Sequence, residues 1–171
     1  MGGGVDRAVA TASPPHASAG PGASIINLAT GFSTDYLNHF TEAVMALEMV
    51  PAMPDCLPDL EAWKPKTYCE HFASSRFSNR DTLIKAYWDA DPKARHDLDA
   101  LSQMLNAALE IARDAMVARF WAPGAADFAS QAVAELKPLI ARMSAITNCT
   151  AIDAEHGHSD AQAAIDALFG P

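Results

Sequence analysis

Cysteine is scarce in this chain: Cys56, Cys69 and Cys149 are all it has. An odd count with no Cys-x-x-Cys pair argues against a disulfide scaffold and for reduced thiols in the cytoplasm. In that compartment the glycosylation match Asn148-Cys149-Thr150 carries no meaning. Alternating runs of β-branched residues are also missing, which leaves little material for a sheet. No apolar stretch is long enough to cross a membrane, and none between Met1 and Ser24 has the length of a signal-peptide core. There is no G-x-S-x-G elbow, no P-loop and no glycine-rich dinucleotide turn.

Positive charge is missing from two whole segments. Residues 34–60 carry Asp35, Glu42, Glu48, Asp55 and Asp59 with no lysine or arginine, and residues 151–171 carry Asp153, Glu155, Asp160 and Asp166, again with no base. Together they account for the entire net charge of −9, so the rest of the chain is balanced. Phosphate backbones are bound by clustered Lys and Arg, so nucleic acid is not an expected partner; a basic protein surface is.

What is present is helical periodicity. Half of the residues are apolar, enough for one domain with a core of its own. Residues 1–24 are a Gly/Ala/Ser/Pro mixture without bulky apolar side chains and are expected to be disordered. A first helix is predicted from Thr34 to Val50, with Ser33 or Thr34 as cap and Leu37, Phe40, Val44 and Leu47 as its stripe. Tyr36, Ala43 and Val50 widen that stripe, which places the helix centrally.

Pro51, Pro54, Pro58 and Pro65 then restrict residues 51–66 to loops and a short turn near Leu60–Trp63. A short helix is expected from Lys66 to Ser74. Another runs from Asn79, as its cap, to Asp89, burying Leu83, Ile84, Tyr87 and Trp88. Asp91-Pro92 opens a long helix to Trp121, ended by Pro123-Gly124. The last stripe spans Ala126 to Thr147, with Pro138 inside it as a kink in one helix rather than a break between two, since the stripe stays in phase. The class is all-α: a bundle of three long helices with one or two short ones, over residues 25–150.

Sites of chemistry are few. Glu155–His158 is the lone Glu-x-x-His, so a di-iron bundle, which needs two, is excluded. Cys69 and His71 lack further ligands at zinc spacing, and the tail run Asp153–Asp160 lacks a scaffold. His96 is followed by Asp97 and Asp99, which would repel a phosphoryl group. No metal and no cofactor are therefore expected. One alternative survives: His39, Glu42 and Trp88 could border a cavity for a ligand, or for a flat cofactor with His39 or His71 as axial ligand, in a helical sensor or small enzyme.

The C-terminal residues 151–171 form an acidic tail with a short amphipathic helix, in which Ile165, Leu168 and Phe169 share a face. So short a helix is marginal alone and folds only against something. Ser159, Asp160, Gln162, Ile165, Asp166, Ala167 and Leu168 resemble the short peptide by which flagellar motor-switch proteins and related chemotaxis proteins bind phosphorylated receiver domains. Ala164 stands where that peptide usually has an acid, and the switch proteins carry it at their N-terminus. The resemblance implies a mode of binding. The sequence thus predicts a non-enzymatic adaptor or regulatory protein that presents Ile165, Leu168 and Phe169 to a partner groove, with Asp160 and Asp166 selecting a basic rim. A homo-oligomer pairing through residues 36–50 is a further expectation.

Overall fold

The computed structural model describes residues 24–148. Among them every regular element is helical. The predicted N-terminal disorder and the whole C-terminal peptide, with Asp160, Ile165, Asp166, Leu168 and Phe169, lie outside the described residues.

Six α-helices follow in order: α1 (Tyr36–Met49), α2 (Leu57–Ala62, entered through a 3-10 turn at Pro54–Cys56), α3 (Tyr68–Ala73), α4 (Arg80–Asp89), α5 (Pro92–Arg119) and α6 (Ala125–Asn148). The bundle proper is α1, α5 and α6, each packed on the other two. A short connection joins α5 to α6, so those neighbours run antiparallel. The short helices close the sides, α2 against α1 and α5, and α3 between α1 and α4.

The predicted stripes are the core. Tyr36, Phe40, Ala43, Val44 and Leu47 of α1 meet Leu98, Leu101, Leu105, Leu109 and Met116 of α5, and Ala132, Leu136 and Met143 of α6. Phe32, Tyr68, Phe72 and Tyr87 add an aromatic layer under α3 and α4, with Tyr68 stacked on Tyr87 at 5.0 Å.

Helix starts follow local chemistry. On α1 the N-cap is Asp35, without a side-chain cap bond, where Ser33 or Thr34 was expected; Ser33 Oγ accepts the Asp35 amide at 3.2 Å just ahead of the helix. Thr67 and Glu70 form a reciprocal capping box on α3, and Asp91 accepts the Ala94 amide at 2.9 Å on α5. Thr67 and Asp91 thereby supply a partner to a first-turn amide that the helix itself leaves unpaired.

Four further expectations are corrected. Asn79 sits at the start of α4 without capping it: its amide instead bonds the Ser24 backbone in both directions, at 2.7 and 3.1 Å, which ties Ser24 to the start of α4. Trp88 is not part of the buried face; it is 60% exposed, beneath the Arg95 guanidinium at 5.1 Å. The long helix stops at Arg119, leaving Trp121 88% exposed. The turn near Leu60–Trp63 is a full helix, Leu57–Ala62, because Pro58 falls in its first turn, where a missing N–H costs nothing. Pro138 does not divide α6, which is continuous from Ala125 to Asn148.

Candidate functional site

Two shallow grooves flank Glu42 of α1; half-buried His71 lines the first, and His39 is buried nearby. The first, of about 340 Å³, runs between the start of α1 and the end of α3. Asp35, Asn38 and Glu42 form one wall; His71, Ser75 and Phe77 form the other, with Arg76 at its edge. The second, of about 370 Å³, lies between α1 and α2 and is lined by Glu42, Ala43, Ala46, Asp59, Ala62 and Trp63.

His39 and Glu42, one turn apart, divide between interior and surface. His39 is 5% exposed and Glu42 points outward. The His39 imidazole stacks on Trp63 at 5.0 Å and lies 5.8 Å from the His71 ring. Its Nε2 has no hydrogen-bond partner, and neither has Oδ1 of the neighbouring Asn106. Burial, then the nearby His71, pull the His39 pKa down to about 4, while Asn106 opposes the shift. Burial and Lys66 also lower His71, against Asp35. Both imidazoles are therefore neutral at pH 7.

Around them the polar groups are engaged with one another. The Tyr36 hydroxyl donates to the Lys66 carbonyl at 2.7 Å and pairs with the Ser102 hydroxyl, and Asn106 Nδ2 donates to the same carbonyl at 3.0 Å. With its proton committed to Lys66, Tyr36 receives that of Ser102. Burial pushes the Tyr36 phenol far above its ordinary value, so it stays neutral.

Trp63 is fixed at both ends. Its indole N–H donates to the His39 carbonyl at 3.0 Å, and its own carbonyl accepts from the nearly buried Arg113 at 2.9 Å. It is thus a rigid wall of the second groove. Ser75, the hydroxyl lining the first groove, donates to the Phe72 carbonyl at 2.7 Å and accepts the Phe77 amide, so no base stands ready to activate it. Among the described residues no three His, Cys, Asp or Glu side chains come together as metal ligands, and no helix is long and apolar enough to cross a membrane.

Of the residues singled out for a cavity, the structure brings His39 and Glu42 to the same helix but gives them opposite environments, and Trp88 lines neither groove. The sequence reading of the His39 surroundings missed Asn106 and Arg113. Both lie on α5, and nothing in the local pattern of α5 marks them as facing α1 and α2.

No protein-family model matches this chain, and neither does any curated protein or solved structure.

Proposed function

We propose that this is a non-enzymatic, cytoplasmic helical adaptor or regulatory protein, whose body carries a C-terminal peptide for a partner. The observation that supports this reading is the single continuous core of the described residues, a folded body from which a peptide can be presented. Residues from Phe32 to Met143 interlock into one buried cluster, with apolar neighbours such as Ile140 and Ile146 packed against it. An apolar triad on a short acidic segment is then best used against another protein, with Asp160 and Asp166 meeting a basic rim. The environment of His39 and His71 weighs in the same direction. They are neutral, partly sealed by aromatic rings, and among the described residues face no activated nucleophile.

The test is a parallel capture with the full chain and the full-length Ile165→Ala/Phe169→Ala variant. A partner held by the first and lost from the second, at unchanged helicity, supports tail presentation. A phosphorylated receiver domain is the first purified candidate. Loss of the cooperative thermal transition in the variant would instead make the tail part of the core and end the adaptor reading.

A further inference from the structure

We infer that the α1–α2 face is a docking surface for a cationic amphipathic helix of a partner protein. This surface is separate from the C-terminal peptide and uses none of its residues.

Its floor is apolar and small. Ala43 and Ala46 of α1 and Ala62 of α2 form a groove closed at one side by the fixed Trp63 ring. Short side chains let an incoming helix approach closely, and a volume of about 370 Å³ accommodates one large anchor. Three methionines on α1 and the segment after it are exposed: Met45, Met49 and Met53, at 53%, 36% and 48%. Met45 lies three residues from Glu42, and Met49 three from Ala46, so both border the groove on the helix surface. Met53 continues the line, its amide bonded to the Met49 carbonyl at 2.8 Å. Unbranched, polarisable methionine side chains reshape around varied apolar anchors, which suits a surface for helices.

Charge selects the occupant. Glu42 and Asp59 face each other across the groove, with Asp55 and Glu61 exposed on the same segment. Among the described residues, none of these four carboxylates has an ion-pair partner. Several acids of α4 and α5 are paired instead: Asp89 with Lys85, Asp97 with Lys93, and Asp114 with Arg113. Glu48, at the far edge of α1, pairs with Lys137 of α6 at 3.4 Å. Four acids without an ion pair thus gather on the segment that also exposes the methionines. A helix with leucine-like anchors flanked by lysine or arginine is its complement. A second copy would bring the same acids to the interface, and the chain's own residues 151–171 carry four acids and no base; both are repelled.

The experiment uses the full chain and a fluorescent synthetic amphipathic helix of leucine and lysine, with a leucine–glutamate helix as its charge-reversed control. The lysine helix is expected to bind and the glutamate helix not to. Glu42→Gln/Asp59→Asn should weaken binding roughly tenfold, the size of effect expected for two rim charges. Met45→Gln/Met49→Gln should weaken it comparably, because it removes the apolar contact and keeps every charge. Neutralising two acids elsewhere, Asp81→Asn/Asp127→Asn, should change affinity less than twofold. Equal weakening by that control pair would reduce the interaction to net charge and overturn the proposal. So would a sedimentation dimer broken by Met45→Gln/Met49→Gln, or tighter binding once Ile165→Ala/Phe169→Ala removes the tail anchors. Unchanged lysine-helix binding in the tail variant keeps this surface distinct from the adaptor peptide.

Discussion

Trp63 holds His39 twice: their rings stack at 5.0 Å, and the Trp63 indole N–H donates to the His39 carbonyl at 3.0 Å. One tryptophan thereby locks both the side chain and the backbone of the histidine, and Arg113 locks the tryptophan through its carbonyl. The consequence is an imidazole that packs as an aromatic ring and resists protonation.

That resistance gives a pH dependence of definite sign. Burial lowers the His39 pKa to about 4 in the folded chain, below its ordinary value of 6.5. Between these values the unfolded chain binds more protons than the folded one, so stability is full above pH 6.5 and falls as pH drops toward 4. Allowing for solvent screening, the loss attributable to His39 is up to about 2 kcal/mol. His71, shifted in the same direction, adds to it. Urea unfolding of His39→Phe, which keeps a ring against Trp63, should show a shallower acid slope than the parent across this window. An identical slope would mean that His39 is solvated in the folded state.

The two glycines with positive φ should respond differently to alanine. Gly31 has φ +78°, and an added Cβ would lie 3.1 Å from the Ala86 carbonyl oxygen and 3.2 Å from the Ala90 Cβ. Gly124 has φ +86° with open space around it. Gly124→Ala should therefore cost about 1 kcal/mol from backbone strain alone. Gly31→Ala should cost about 2 to 3 kcal/mol, since the N-terminal segment must also lift from α4. Thermal melts of the two variants side by side measure the difference.

Pro138 is exposed, on α6 beside Lys137. It denies the Ala134 carbonyl its helical partner, and because Ala134 is also exposed, water takes that place. Pro138→Ala restores the bond and is expected to stabilise the chain by about 1 to 2 kcal/mol, raising Tm by roughly 3 to 6 °C. Calorimetry showing no gain would mean that the packing of α6 on α5 depends on a bend at this proline.

The long helices were legible because their signals are local. The Asp91-Pro92 start, the proline after Val50 and the stripe of α5 each act within a turn or two, where backbone hydrogen bonding and side-chain periodicity decide the outcome. Trp88 was misread for the complementary reason. Its spacing from Leu83 and Ile84 is compatible with a buried face, but α4 packs chiefly on α3 and meets α5 through Tyr87, which bonds Asp99. With one side covered, Tyr87 takes the interior and Trp88 the solvent. Asn79 was misread because its cap position is local while its true partner, Ser24, is distant in the chain.

The sequence by itself determined an all-helical chain, where its main helices begin, and a first helix and following segment with acid and no base. Those properties depend on neighbours within a few residues. Only the tertiary structure decided that His39 faces inward against Trp63 and Asn106 while Glu42 faces out. It alone set Ala43, Ala46 and Ala62 opposite one another, and left Met45, Met49 and the unpaired acids on one surface. Those relations join residues from different helices, and packing fixes them through contacts that no local pattern encodes.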